Sequence, residues 1–147
     1  VLLASGTGFA PIKAIIEHLQ FKHSKDKTQT RHAVLYWGCR SKADLYLHDW
    51  ALQAAAEMPS LRYVPVLSEA KAEDAWSGRS GLVHQALMTD LPDLSGHEVY
   101  ACGAPIMVES AERDLVARCR LPEDAFFADS FTSEQDKHGD TPRASGA

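Results

Sequence analysis

Cysteine is scarce in this sequence, and the patterns in which it usually does chemistry are missing. The 147 residues include three cysteines, at positions 39, 102 and 119, and no Cys-x-x-Cys pair. A small secreted disulfide scaffold carries more cysteines at closer spacing. A thioredoxin-type dithiol, a structural zinc site or an iron–sulfur cluster needs thiols that this chain does not have. We therefore expect reduced thiols, no metal site and a cytoplasmic protein.

Long hydrophobic runs and an excess of positive charge are also missing. No apolar stretch approaches the roughly 20 residues of a membrane-spanning helix, so we expect no membrane span. The 15 Lys and Arg residues against 20 Asp and Glu give a formal net charge of −5. Proteins that bind nucleic acid usually present a basic face, so we expect no nucleic-acid partner. With 45% hydrophobic and 24% charged residues, the composition is that of a soluble folded domain, and the length suits one domain rather than two.

What the sequence does contain is an alternation of short apolar runs with helical patterns. The apolar runs predict five strands, at residues 1–5, 32–38, 61–67, 97–102 and 125–128. The helical patterns cover residues 10–21, the segment from the N-cap Ser41 to residue 57, residues 82–88, and a segment ending near residue 118. Strands separated by helices in this way are typical of right-handed βαβ units. We therefore predict an α/β three-layer sandwich with a five-stranded parallel sheet in the order 3-2-1-4-5.

The two ends of the chain carry separate expectations. The sequence begins without Met and inside an apolar run, which indicates a piece of a longer protein with a domain boundary ahead of Val1. Residues 1–131 are expected to form one domain. Residues 132–147 lack large aliphatic and aromatic side chains, so they are predicted to be a disordered tail or linker.

Two glycine-containing turns follow the two strands that flank the predicted reversal of strand order. The first glycine turn is Gly6-Thr7-Gly8, and the second is Gly103-Ala104-Pro105. Ligands of open parallel sheets bind beyond the carboxyl ends of the strands at this reversal, and glycine followed by a helix N-terminus suits phosphate. Pro11 and Pro105 fall in first helical turns, where proline is tolerated. Any tight strand-to-helix turn favours glycine, but two such turns beside one crevice favour a dinucleotide.

The fingerprint with which many dehydrogenases bind NAD is nevertheless absent. Pro11 stands where the third glycine of Gly-x-Gly-x-x-Gly belongs. Cys39 and Arg40 end the second strand, in place of the acidic residue that binds the ribose. If a nicotinamide cofactor binds to this chain, it therefore binds in another manner.

Four segments carry motifs that point to one protein family. Residues 4–11 (Ala-Ser-Gly-Thr-Gly-Phe-Ala-Pro) are similar to Gly-Gly-Thr-Gly-Ile-Ala-Pro, and residues 36–46 to a Gly-x-Arg…Asp-Leu pattern. Residues 76–83 resemble Trp-x-Gly-Arg-x-Gly-x-Val, and residues 102–105 match Cys-Gly-x-Pro. Together, in the correct order over about residues 1–131, they resemble the NAD(P)-binding domain of the ferredoxin–NADP reductase superfamily. The likeness is greatest to bacterial reductases that join a plant-type ferredoxin domain, a flavin domain and this domain, among them CDP-6-deoxy-delta-3,4-glucoseen reductases and oxygenase reductase components.

The resemblance implies an oxidoreductase domain that binds NADH, whose hydride passes to FAD and whose electrons continue to a 2Fe-2S centre. FAD and the 2Fe-2S cluster would belong to an N-terminal flavin domain and to an electron-accepting iron–sulfur domain or protein, because neither binding motif occurs in this chain. The isolated chain is then expected to bind NADH and to be inactive. The alternative is a non-catalytic nucleotide-sensing or protein-interaction module on the same fold, which the presence of both glycine turns disfavours.

The resemblance also assigns candidate residues to the site. Cys102 would lie beside nicotinamide C4 and orient the ring, although a free cysteine that ends a strand can equally be a small buried hydrophobic residue. Phe131 would lie near the flavin ring, or else be an aromatic at the edge of the core. Trp76 and Arg79 would hold the long loop, whereas Ser5 departs from the glycine usual in the motif and is assigned no ligand role. The implied cofactor-binding set is Gly6, Thr7, Gly8, Pro11, Arg40, Ser68, Glu69, Cys102, Gly103, Ala104, Pro105 and Phe131.

The residues after the third strand bear on the choice between NADH and NADPH. NADPH-specific members of the family commonly have Ser-Arg there, whereas this chain has Ser68-Glu69. A carboxylate repels the 2′-phosphate of NADPH and can accept hydrogen bonds from ribose hydroxyls. We therefore expect a preference for NADH. Arg40 is a competing signal, because its guanidinium can bind either the 2′-phosphate or the adenosine side.

Overall fold

A computed structural model describes residues 1–28 and 31–130. Its strands form one six-stranded sheet in the order β4-β3-β2-β1-β5-β6, and every neighbouring pair is parallel. The strands are β1 (Leu2–Ser5), β2 (Ala33–Cys39), β3 (Leu61–Leu67), β4 (Arg79–Ser80), β5 (Val99–Gly103) and β6 (Phe126–Ser130). The predicted tail, residues 132–147, and the predicted site residue Phe131 lie outside the described residues.

In the described part of the chain, four α-helices cover the two faces of the sheet and make the predicted three layers. They are α1 (Phe9–Lys25), α2 (His48–Glu57), α3 (Val83–Asp90) and α4 (Pro105–Arg118). Successive residues of β1 show the alternation, since Leu2 and Ala4 belong to the hydrophobic cluster under α1 and α2, and Leu3 belongs to the cluster under α3 and α4. Within the described ranges, no helix combines the length and apolar character that a membrane crossing needs.

The predicted α/β fold with a parallel sheet is confirmed, but the predicted number of strands is wrong. The additional strand, β4, has only two residues and pairs with Val66 and Leu67 of β3. It lies in segment 68–81, whose polar sequence predicts a connection. A two-residue strand is too short to give a periodic pattern. The five predicted strands keep the order 3-2-1-4-5 within the larger sheet.

Side-chain contacts add to the backbone pairing between β4 and β3. The indole Nε1 of Trp76 donates to the carbonyl of Arg79 over 2.7 Å, and the Arg79 guanidinium forms an ion pair with Asp90 of α3. Asp90 also accepts a hydrogen bond from the Tyr36 hydroxyl at 2.8 Å. Trp76 and Arg79 therefore do hold this loop in place, as the sequence indicates.

Two predicted helix boundaries differ from the structure. Helix α1 continues to Lys25 rather than ending near residue 21, and the cationic side chains of its last turn suit the negative end of the helix dipole. Ser41 caps a 3₁₀ turn (Lys42–Asp44) instead of a continuous helix, because the Asp44 carboxylate accepts hydrogen bonds from the Ser41 N–H and hydroxyl at 3.2 and 3.1 Å. Leu45 then leaves the helical conformation, and α2 begins at His48.

Candidate functional site

A cleft of about 930 Å³ lies at the carboxyl ends of the strands, above the reversal of strand order between β1 and β5. Both glycine turns contribute to it, together with the ends of β2 and β3 and the first turns of α3 and α4. Its lining consists of Ser5, Gly6, Thr7, Gly38, Cys39, Arg40, Asp44, Tyr46, Ser68, Gly81, Leu82, Val83, His84, Gly103, Ala104, Pro105, Ile106, Met107 and Ser110. The cleft is therefore where the topology of a doubly wound sheet predicts a ligand site.

The first glycine turn is held from below by an aromatic side chain of β2. Gly6 has a φ of +53°, a conformation that favours glycine. Its carbonyl accepts a hydrogen bond from the indole Nε1 of Trp37 at 3.0 Å. Trp37 is fully buried and stacks on Phe9, the first residue of α1, with the ring centroids 4.0 Å apart. The position of the turn is thus coupled to the hydrophobic core.

Gly8 brings the start of α1 into direct contact with the end of β5. Its φ of −61° is ordinary, so conformational freedom does not explain the glycine. A Cβ at this position would instead collide with the carbonyl of Cys102 and the Cα of Gly103. The glycine is required because the two backbones approach each other so closely.

The second glycine turn is joined to the end of β1 by a side chain. Gly103 has a φ of +149°, and a Cβ there would overlap the hydroxyl oxygen of Ser5. The N–H of Ala104 donates to that same oxygen, Ser5 Oγ, at 3.0 Å. Helix α4 begins at the next residue, Pro105. The hydroxyl of Ser5 therefore occupies the space that the missing side chain of Gly103 leaves.

Arg40, Ser68 and Glu69 come together at one edge of the cleft. The pairing of β2 with β3 continues beyond the strands, because the N–H groups of Ser68 and Glu69 donate to the carbonyls of Cys39 and Arg40 at 2.9 and 2.8 Å. Arg40 and Ser68 line the cleft, whereas the exposed Glu69 stands beside Arg40 outside the lining. We call these three residues the outer rim.

Cys102 lies beneath the cleft rather than in its lining. It is 2% exposed and belongs to the hydrophobic cluster on the face of α1 and α2. Burial raises the pKa of the Cys102 thiol, and the nearby Asp129 carboxylate adds to the rise. The thiol is therefore protonated at neutral pH and is not a nucleophile. Pro11, in the first turn of α1, also lies outside the lining.

Several residues of the cleft were not predicted as site residues from the sequence. Cys39 lines the cleft, and burial raises the pKa of its thiol to about 11, although a hydrogen bond from the backbone of Gly6 opposes the rise. His84, 5% exposed, lies 3.1 Å through Nε2 from a carboxylate oxygen of Asp114 and so links α3 to α4. Its position directly after the family-like segment 76–83 was the one available signal.

Three exposed apolar or aromatic side chains surround the opening of the cleft. Tyr46, Leu82 and Ile106 line the cleft and are 50%, 52% and 76% exposed. The edge of the Tyr46 ring meets the Trp37 ring, with the centroids 5.5 Å apart. Pockets for small molecules are commonly apolar with a few placed polar groups, and this cleft has that character.

Comparison with known proteins agrees with the geometry. Residues 2–113 match the model of the oxidoreductase NAD-binding domain family. The chain belongs to this family. It is 40% identical over 131 residues to the CDP-6-deoxy-L-threo-D-glycero-4-hexulose-3-dehydrase reductase of Yersinia pestis, covering 89% of this chain and 37% of that protein. It is 34% identical to the phenol hydroxylase P5 protein of Acinetobacter pittii, covering 92% and 37%.

A solved structure shows the same arrangement. The Amycolatopsis cytochrome P450 reductase GcoB superimposes with a TM-score of 0.76 at 31% identity, covering 90% of this chain and 37% of that one. The predicted membership in the ferredoxin–NADP reductase superfamily is confirmed. The chain spans a little over a third of the length of these relatives.

Proposed function

We propose that the cleft binds NADH and that this chain serves as the nicotinamide-binding domain of a flavin-dependent reductase. One observation carries the proposal: two glycine turns, each followed by a helix, converge on a single cleft at the reversal of strand order. The family to which the chain belongs is one of NAD-binding domains. A volume of about 930 Å³ is at the upper end of ordinary ligand pockets and suits a dinucleotide.

The residues present fit the chemistry of such a cofactor. Helix α4 begins at the cleft, where Pro105, Ile106 and Met107 of its first turn belong to the lining, and the positive dipole end of the helix would stabilise a diphosphate there. Because Gly8 and Gly103 have no side chains, the two turns approach each other closely beneath the cleft. When bound, NADH supplies a hydride that a flavin can divide into single electrons. We infer that FAD and a 2Fe-2S centre belong to further domains or partners, in keeping with the share of its relatives that the chain covers.

We propose that Cys102 acts from beneath the cleft. Its carbonyl abuts Gly8, and its side chain fills the core at the point where β1 and β5 diverge. Beneath the floor of the cleft, its neutral thiol would be a small, uncharged group on the side of the nicotinamide ring that faces the core. In that position Cys102 would help to orient the ring of a bound NADH, and no bond between the sulfur and the ring would form.

The outer rim supports a preference for NADH over NADPH. Glu69 is fixed beside Arg40 by the hydrogen bond between their backbones. The carboxylate offsets the positive charge that a 2′-phosphate would otherwise meet, and it can accept hydrogen bonds from ribose hydroxyls. We therefore propose that Glu69, at the edge of the cleft, favours the ribose 2′-hydroxyl of NADH over the 2′-phosphate of NADPH.

Isothermal titration of the isolated chain tests the proposal. NADH is expected to bind to one site with a higher affinity than NADPH, and the chain is expected to show no diaphorase activity. An absence of saturable binding of either nucleotide would contradict the binding function. Flavin that co-purifies with this chain in substantial amount would contradict the assignment of FAD to a separate domain.

A further inference from the structure

Ser5 marks the point at which strand pairing between β1 and β5 gives way to a side-chain contact. The register of the two strands ends with Ala4 opposite Cys102. Beyond it, the N–H of Ala104 bonds the hydroxyl oxygen of Ser5 at 3.0 Å. The strands diverge here to form the two glycine turns. A side chain therefore continues the link at the place where the cleft opens.

The backbone of the second glycine turn is shaped around this hydroxyl. Gly103 adopts a φ of +149°, and a Cβ on it would overlap Ser5 Oγ. The two turns also touch at Gly8, but that contact is one of van der Waals packing against the carbonyl of Cys102. Ser5 adds a directional link to it, which fixes the N–H of Ala104 at the start of α4.

The hydroxyl of Ser5 retains a proton that it can donate. A serine oxygen can accept while its own hydrogen is donated elsewhere. Within the described part of the chain, the contact with Ala104 is the one hydrogen bond of this side chain. Ser5 lines the cleft and is half-buried. Because Ser5 belongs to the lining, an acceptor bound in the cleft could take this proton.

We propose that Ser5 is a positioning residue that joins the two glycine turns and donates its proton to an oxygen of the bound nucleotide. This inference rests on the proposed function, because it needs a nicotinamide nucleotide in the cleft. Ser5 then does two things with one hydroxyl: it accepts from Ala104 N–H to set the width of the cleft floor, and it binds the ligand directly. Ser5 and Thr7 are the two hydroxyl side chains of the lining at the first glycine turn, and the Ser5 hydroxyl is the one bonded to the second turn.

The test compares variants at Ser5 with a matched serine elsewhere. Ser5→Ala removes both hydrogen bonds, and the Kd for NADH is expected to rise by about tenfold. Ser5→Thr keeps a hydroxyl, and its Kd is expected to stay within about threefold of the wild-type value. Ser24→Ala is the control, since Ser24 donates to the carbonyl of Phe21 on the exposed end of α1. Its Kd is expected to be unchanged.

Hydrogen exchange separates the two parts of the proposal. Without nucleotide, the Ala104 amide is expected to exchange faster in Ser5→Ala than in the wild type and at the wild-type rate in Ser5→Thr. Should Ser5→Ala not fold, Ser5→Gly carries the same comparison, because it removes the same oxygen. A Ser5→Ala or Ser5→Gly variant that binds NADH as the wild type does overturns this inference and leaves the proposed function standing. A wild-type chain that binds no NADH overturns both.

Discussion

The first glycine turn and the outer rim border the same cleft and are built in opposite ways. In the turn, the Trp37 indole holds the Gly6 carbonyl, and Gly8 is pressed against the backbone of β5. In the rim, Arg40, Ser68 and Glu69 are all exposed and are positioned by two backbone hydrogen bonds. The first glycine turn is therefore packed into the core. Side chains of the outer rim are exposed, so substitutions that alter their charge need not disturb the packing. The comparison indicates that the turn provides binding in general and that the rim provides the choice between nucleotides.

Substitution of Gly8 is expected to give the largest effect. Gly8→Ala places a Cβ against the backbone of Cys102 and Gly103, which cannot move aside as a flexible side chain can. We expect the free energy of unfolding to fall by about 1–3 kcal/mol and the affinity for NADH to fall by more than about tenfold. Urea denaturation and calorimetric titration measure the two effects.

Gly96→Ala is the matched control for this prediction. Gly96 has open space around its Cα and lies outside the lining of the cleft. The change is expected to leave both stability and NADH affinity near the wild-type values. If Gly8→Ala behaves like Gly96→Ala, the first glycine turn is not the rigid element described above.

A change of charge at the outer rim is expected to have a smaller effect that is confined to selectivity. Glu69→Arg removes a carboxylate and supplies a guanidinium that can pair with a 2′-phosphate. The ratio of NADPH to NADH affinity is expected to rise on the order of tenfold. The free energy of unfolding should change by less than about 0.5 kcal/mol, as is usual for an exposed side chain.

Glu73→Arg makes the same change of charge away from the cleft. Glu73 is exposed in a 3₁₀ turn (Ala72–Asp74) and is not part of the lining. It should alter the ratio less than Glu69→Arg does, because Glu73 is not a lining residue and the surrounding salt solution screens an exposed charge. An unchanged nucleotide preference in Glu69→Arg, or an equal shift in both variants, would show that Glu69 does not set the preference for NADH.

The parts of the fold that follow from the sequence are those that local patterns encode. Apolar runs such as Ala33–Cys39, which is buried over its last five residues, predict strands, and their alternation with helices predicts a parallel sheet. The order of the strands and the position of the two glycine turns follow from general rules of topology. The third layer and the placement of the cleft could therefore be anticipated without coordinates.

The parts that escaped prediction depend on contacts between distant residues. Strand β4 pairs with the end of β3, and Trp76 and Asp90 contact its residue Arg79, but two residues carry no periodic signal. The link from Ser5 to Ala104 spans 99 positions, and at the level of sequence Ser5 is simply a departure from a motif. The burial of Cys102 depends on which face of β5 it occupies, which the position of the residue at the end of a strand does not reveal.

The exposed apolar side chains at the opening of the cleft also escaped prediction. Sequence patterns assign Leu82 and Ile106 to helix starts, where an apolar side chain is most simply read as part of a core. In the structure both side chains face the opening of the cleft. Exposure at a helix start depends on the loop before it, and no local pattern reports that.

The most direct test of the central claim is to follow backbone amide shifts of the ¹⁵N-labelled chain during a titration with NADH. We expect saturable changes concentrated in residues 5–8 and 103–107, with smaller ones at residues 38–40 and 68–69. Changes confined to the amino ends of the strands, around His97 and Glu98 just before β5, would contradict binding in the cleft. So would a titration in which the amides of both glycine turns do not respond.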